Sequence, residues 1–172
     1  HNEEIIITCG AQQGLDFAAR CLCEEGDTIL CEDPTFVGAL NAFRSYGLNT
    51  VGVPMENDGM DLNALEHLLK AEKKVRFLYV IPNFQNPTGV TTSFDKRRKI
   101  LELAQQYNIT ILEDNPYGAL RFTGEDQPSI KSFDEEGRVI YLGSFSKILS
   151  PGLRVGFMVA DKEYMGAVTI AK

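Results

Sequence analysis

A chain of 172 residues with 44% hydrophobic side chains has the length of one ordinary domain and enough apolar material for a buried core. Its formal charge of -7 argues against a nucleic-acid surface, which needs basic patches, and no apolar run reaches the roughly 20 residues of a membrane span. Within these residues no signal peptide, lipidation motif, repeat or low-complexity linker is visible, so one continuous cytoplasmic unit is expected.

Residues 4–8 read as a strand that meets Gly10 and then a helix with Leu15, Ala18, Ala19 and Leu22 at helical spacing. Residues 28–31 form the next strand. After Pro34 comes a helix with Phe36, Leu40 and Phe43 on one face, closed by Gly47. Residues 50–53 are a further strand, Asp58-Gly59 marks a turn, and Asp61 is placed to cap a helix whose buried stripe is Leu62, Leu65, Leu68 and Leu69. Residues 75–81 are nearly all apolar, as a strand covered on both faces should be. Thr92 to Asp95 has the spacing of a capping box and opens a helix with Ile100, Leu103, Ala104 and Tyr107 on one face. Strands follow at 109–112, 139–142 and 155–160, and a last helix begins near residue 162. This alternation predicts an α/β fold of three layers (α/β/α), with a mostly parallel sheet, helices on both faces and right-handed crossovers.

The cysteines Cys9, Cys21, Cys23 and Cys31 crowd the first third of the chain. Cys21 and Cys23 are two apart and no histidine pair follows, so the spacing is not that of a zinc site. Reduced, partly buried thiols are expected. His1 and His67 stand alone, and no metal site is predicted. The chain opens at His1 and stops at Lys172 inside the last helix, as expected of a segment of a longer protein.

Ligands of open α/β sheets bind beyond the carboxyl ends of the strands. Gly10-Ala11-Gln12-Gln13-Gly14 follows the first strand, Glu32-Asp33-Pro34-Thr35-Phe36 the second, and Pro82-Asn83-Phe84-Gln85-Asn86-Pro87-Thr88-Gly89 the one ending at Ile81. Glu113-Asp114-Asn115-Pro116-Tyr117 and Gly143-Ser144-Phe145-Ser146-Lys147, then Ser150-Pro151-Gly152-Leu153-Arg154, follow two later strands. All the chemically unusual residues thus fall on one predicted edge. The backbone N–H groups that open the first helix favour an anion, and Ser144, Ser146 and Arg154 add hydroxyls and a permanent cation, which together describe a phosphate cup without the sequence of a nucleotide P-loop. Asp114 and Lys147 are the carboxylate and amine that a pyridine nitrogen and an aldehyde would require. Asn86 and Tyr117 can donate to a ring oxygen, and Phe36 can stack on a ring. Each has a plainer reading. Lys147 could be a surface charge, Asp114 a turn former, Asn86 a turn residue before Pro87, and Phe36 and Tyr117 core aromatics. As an acid at the end of a central strand, Asp114 should be desolvated and in need of a cationic partner.

In order and spacing these segments resemble the class I/II aminotransferases of fold type I that depend on pyridoxal 5'-phosphate (PLP). The likeness is to the branch with the 2-aminoadipate, kynurenine and aromatic amino-acid aminotransferases. It is carried by Gly10-Ala11-Gln12-Gln13-Gly14-Leu15, Asn86-Pro87-Thr88-Gly89, Glu113-Asp114-Asn115-Pro116-Tyr117 and Ser144-Phe145-Ser146-Lys147 with Gly152-Leu153-Arg154, across essentially the whole chain. The resemblance implies that residues 1–172 are the large PLP-binding domain, without the amino-terminal arm and carboxyl-terminal small domain. It implies Lys147 as the Schiff-base lysine that also shuttles the proton, Asp114 at the pyridine nitrogen, Asn86 and Tyr117 at the ring oxygen and Phe36 on the ring face. Ala11, Gln12, Ser144, Ser146 and Arg154 would hold the phosphate. Many relatives carry Ser at Ala11, so one neutral hydrogen bond, about 1 kcal/mol, is expected to be missing there. The implied substrates are an amino acid and a 2-oxo acid, with a homodimer at full length, no nucleic acid and no membrane. Two other readings keep the fold: the effector domain of a GntR-type transcriptional regulator, or a PLP β-lyase or decarboxylase. Such regulators would carry Asp-Tyr in place of Asn115-Pro116-Tyr117 and Thr in place of Ser144, and this chain follows the enzyme pattern at both.

Overall fold

A computed structural model describes residues 3–172; His1, set aside above as a metal ligand, lies outside the described residues. Its eight strands are β1 (Glu3–Cys9), β2 (Thr28–Asp33), β3 (Asn49–Glu56), β4 (Gly59–Met60), β5 (Val75–Val80), β6 (Thr110–Asn115), β7 (Val139–Ser144) and β8 (Val155–Asp161). Among the described residues five α-helices accompany them: α1 (Gly10–Leu22), α2 (Val37–Ser45), α3 (Leu62–Ala71), α4 (Phe94–Gln106) and α5 (Lys162–Ala171). The strands form one sheet in the order β1-β8-β7-β6-β5-β2-β3-β4. The central run from β7 to β3 is parallel, whereas β8 is antiparallel to both of its neighbours and β4 folds back on β3. The mixed, mostly parallel sheet is the one expected, with a reversed β8 inside one edge and a reversed β4 at the other that alternation alone did not predict.

Strand parity divides the core into two layers. On β5, Phe77 and Tyr79 pack with α1, α2 and α5, whereas Leu78 and Val80 pack with α3 and α4. All four are essentially buried, and Phe43 of α2 meets Phe77 and Tyr79 edge-on at 5.3 and 5.5 Å. Each such side chain contributes roughly 1.5–3 kcal/mol through the area it removes from water. The same alternation on β6 sends Leu112 and Asp114 to the α1 side, and Ile111 and Glu113 to the other. A polar residue at the end of the first series therefore stands above an apolar layer.

Two details depart from the sequence reading. Asp61 caps α3 as expected, accepting from the N–H groups of Asn63 and Ala64 at 2.8 and 3.1 Å. The capping box at Thr92 to Asp95 does not form: α4 opens at Phe94 with Ser93 at the N-cap and no side-chain cap bond. Ser93 Oγ donates instead to Asp58 Oδ2 at 3.1 Å, and Thr92 is buried, so the hydroxyls are committed to the β3–β4 turn and the core. Phe36 also stands just outside its helix, at the N-cap of α2.

The close approach of β8 controls where α1 begins. A Cβ built on Gly156 of β8 would lie 2.7 Å from the Gly10 carbonyl carbon, 2.8 Å from Ala11 N and 2.9 Å from Gly143 O, all of them backbone atoms. Backbone cannot swing aside as a side-chain tip can, so Gly156→Ala is expected to push the first turn of α1 off the sheet. The expected cost is about 1–3 kcal/mol, the usual scale of overpacking, read as a lower urea midpoint for the full-length protein.

Candidate active site

Because β1 and β7 point the same way and β8 runs back, the ends of β1, β6 and β7 and the beginning of β8 meet on one border of the sheet. A cavity of about 290 Å³ opens there. The structure brings all ten residues singled out from the sequence to its wall. The start of α1 contributes Ala11 and Gln12, the N-cap of α2 Phe36, the loop after β5 Asn86, and β6 with the turn beyond it Asp114 and Tyr117. The turn after β7 contributes Ser144, Ser146 and Lys147, and the entry to β8 contributes Arg154.

The anion-favouring end is built by backbone. Cys9 stands at the N-cap of α1 without a side-chain cap bond, so the first N–H groups of the helix keep their orphan donors toward the cavity. Gln13 Oε1 accepts from Cys9 N at 2.7 Å and holds the entry of the helix. Gly10 has φ of +72°, and a Cβ there would come within 2.7 Å of Arg154 Nη2. Glycine is needed on both counts: the backbone conformation, and the approach of the guanidinium. Arg154 is itself left-handed (φ +51°) and donates long bonds to Pro151 O at 3.4 Å and Cys9 O at 3.5 Å. Ser144 Oγ accepts from Ser146 N at 3.2 Å, and Gln12 Nε2 donates to Gly38 O at 3.2 Å.

At the opposite end, Asn86 Nδ2 donates to the Tyr117 hydroxyl oxygen at 3.3 Å, which leaves the phenol hydrogen free to donate into the cavity. Asp114 is 4% exposed. Burial pushes its carboxyl up to about 6, against the lowering effect of the Tyr79 hydroxyl, which donates to Oδ2 at 2.9 Å. The other oxygen, Oδ1, is buried with no hydrogen-bond partner among the described residues. The cationic partner expected of a desolvated acid is therefore replaced on one side by a neutral phenol and is missing on the other. Lys147 is exposed, with no hydrogen-bond or ion-pair partner among the described residues.

Sequence reasoning missed the buried polar scaffold behind the wall. Tyr79 is one member. Gln85, near the predicted site but without an assigned role, donates to Glu32 Oε2 at 3.1 Å and Pro34 O at 2.8 Å, while its Oε1 accepts from both N and Oγ1 of Thr88. One side chain thus ties the loop bearing Asn86 to the one bearing Phe36. Arg97 is fully buried and donates to the carbonyls of Thr92, Pro128 and Pro82 and to Asn83 Oδ1. Asn83 in turn donates to Asn115 Oδ1 at 3.0 Å. Polar residues at strand ends were the available signal, since buried ones must find partners.

Glu32 is displaced from the ordinary 4.5 to about 8, mainly by burial, against donation from Gln85 and Ile81 N and with the Asp114 charge adding to the rise. For an acid raised on folding, the favourable contribution is complete below about pH 4.5 and is lost as pH climbs through about 8. Glu32→Gln keeps the shape and an acceptor oxygen but removes the titration. The apoprotein variant should lose less stability than the parent between about pH 5 and pH 8, as read by thermal unfolding, by a few kcal/mol at about 1.4 kcal/mol per unit. Some slope remains, because burial also raises Glu113 to about 7.

Known proteins share both the sequence and this architecture. The chain is 48% identical over 173 residues to aromatic-amino-acid aminotransferase 1 of Thermococcus litoralis, covering 98% of this chain and 42% of the relative. It is 44% identical to the 2-aminoadipate transaminase of Thermus thermophilus, covering 99% of this chain and 43% of that protein. A crystal structure of Pyrococcus horikoshii kynurenine aminotransferase in complex with PMP superposes with a TM-score of 0.97 at 44% identity, over 99% of this chain and 43% of that one. The chain spans about two-fifths of the length of each. Residues 1–172 match the family described as aminotransferase class I and II along their whole length. The chain belongs to the class I and II aminotransferases.

Proposed function

We propose that this chain is the large, cofactor-binding domain of a PLP-dependent aminotransferase that moves an amino group between an L-amino acid and a 2-oxo acid. The observation that carries this reading is the unpartnered, buried Asp114 Oδ1 in the same cavity wall as the unpaired Lys147 amine. A buried carboxylate oxygen without a donor is costly unless a cationic N–H comes to it, and a protonated pyridine nitrogen is such a group. The other walls fit the remaining parts of that cofactor: hydroxyls, a guanidinium and helix-start N–H groups for a phosphate, and the Tyr117 hydrogen for a ring oxygen.

When bound, PLP supplies an aldehyde for linkage to an amine and an electron-withdrawing ring that acidifies the neighbouring Cα proton. Lys147 Nζ would be the amine that holds that aldehyde and, once an incoming amino acid has replaced it, the base that would carry the proton from Cα to the aldehyde carbon. Asp114 would keep the ring nitrogen protonated through Oδ1. Tyr117 and Asn86 would orient the ring oxygen, and Phe36 would stack on the ring. Ala11, Gln12, Ser144, Ser146 and Arg154 would anchor the phosphate.

By the same reading the full-length protein adds the amino-terminal arm and the small domain and forms a homodimer in the cytoplasm; four free cysteines suit a reducing compartment. Among the described residues no helix is long and apolar enough to cross a membrane. The relatives named above are called aminotransferases or transaminases, which supports transfer over the β-lyase, decarboxylase or regulator alternatives. The test is initial-rate kinetics of the full-length protein with a panel of amino acids and 2-oxo acids. Parallel double-reciprocal lines and equimolar amino-group exchange are expected. Release of ammonia or carbon dioxide without any need for a 2-oxo acid would overturn the proposal.

A further inference from the structure

Tyr79 belongs to none of the sequence segments that mark the family, yet it is the described residue that grips Asp114. Parity puts both side chains on the α1 side of the sheet, and the pairing of β5 with β6 sets Tyr79 opposite Leu112, one side-chain step before Asp114. Tyr79 is fully buried, and its ring is wedged against Phe43. Its hydroxyl therefore has a fixed position, 2.9 Å from Asp114 Oδ2. A carboxyl with both oxygens free could rotate about its last torsion; here one oxygen is pinned and the other is buried without a donor, in a residue that lines the cavity.

We infer that Tyr79 is the positioning residue of this site: its hydroxyl locks Asp114 Oδ2 and presents Oδ1, ionised, to the ring nitrogen of the cofactor. The inference rests on the cofactor reading above for the identity of that ring. Other groups around Asp114 cannot do the same work. Glu32 reaches it from β2 only as a like charge, Tyr141 on β7 gives its hydroxyl oxygen to Asn115, and Lys147 and Arg154 line the cavity without bonding to Asp114. Donation to the charged form favours ionisation, which burial opposes. Tyr79 thus offsets part of the desolvation that the site imposes on its own acid.

The test uses Tyr79→Phe in the full-length protein, which removes one oxygen and keeps the buried ring. The Asp114 carboxyl signal in the apoprotein, assigned by its loss in Asp114→Asn, is titrated by 13C NMR. Its midpoint should rise by about one unit in Tyr79→Phe, the scale of one hydrogen bond to a charged group. PLP affinity of the apoprotein at pH 7, by calorimetry, should fall at least about twofold, because a midpoint moved from about 6 by one unit leaves about half of Asp114 ionised there. If Tyr79→Phe does not fold, 3-fluorotyrosine at position 79, a more acidic donor, should move the Asp114 midpoint below that of the parent. An unmoved midpoint in whichever of the two folds overturns the assignment. A shifted midpoint in a protein that does not bind PLP at all would support Tyr79 as the holder of Asp114 and remove the cofactor reading instead.

Discussion

Lys147→Ala in the full-length protein is expected to abolish the borohydride-reducible bond between chain and cofactor and to lower kcat by about 10²–10⁴-fold, the contribution of a positioned proton-transfer group. The expectation stems from where the amine stands. Lys147 lies in the turn after β7, on the wall of the cavity and exposed, and no carboxylate among the described residues claims its Nζ. A lysine kept for stability would be paired or would lay its stem on apolar surface. Lys96, by contrast, is tied to Glu56 and Asp58. Mass mapping of the reduced protein locates the link directly. A label retained on another lysine in Lys147→Ala would refute the assignment, whatever happens to the rate.

Most of the architecture was legible because the signals are local and repetitive. The apolar run at Phe77, Leu78, Tyr79 and Val80 has the length and composition of a strand covered on both faces, and Asp61 before a leucine stripe is placed as a cap. The cavity wall was legible for a different reason: in parallel strands the loops at carboxyl ends must share a border, so the residues immediately after each strand already make up the wall. The rest depends on partners that sequence separation hides. Tyr79 and Asp114 are 35 residues apart, and Gln85 and Glu32 are 53 apart. Nothing at either position announces the other until β5 is laid between β2 and β6. Ser93 misled for the same reason. Its hydroxyl had a competing acceptor in Asp58, 35 residues earlier, and the cap lost. The reversal of β8, which carries Arg154 to the border by the strand's amino end rather than its carboxyl end, likewise emerges only from the pairing.

Asp114→Asn should change activity and stability in opposite directions. In the full-length enzyme the neutral amide cannot hold a proton on the ring nitrogen, and kcat should fall about 10²–10³-fold, the scale of losing one preorganised electrostatic group. In the apoprotein the same substitution should stabilise. Burial carries the Asp114 carboxyl from the ordinary 3.8 to about 6. For an acid displaced upward, the contribution to folding is whole below about pH 3.8 and is lost as pH rises through about 6, so near pH 8 the native apoprotein carries a buried charge at a cost. That cost is on the order of 2–3 kcal/mol, at about 1.4 kcal/mol per unit. Asparagine has the same outline and can still accept from Tyr79, so its thermal midpoint near pH 8 should exceed that of the parent, with the gap closing toward pH 4. Added cofactor should reverse the order by stabilising the parent more, since it binds the native state of the parent more tightly. An acid present for structural reasons would behave otherwise: its amide would destabilise the apoprotein at every pH, and the cofactor would shift both proteins equally. An unpaired charge that destabilises the apoprotein, and is offset only when a cation arrives, is how a residue retained for chemistry differs from one retained for the fold.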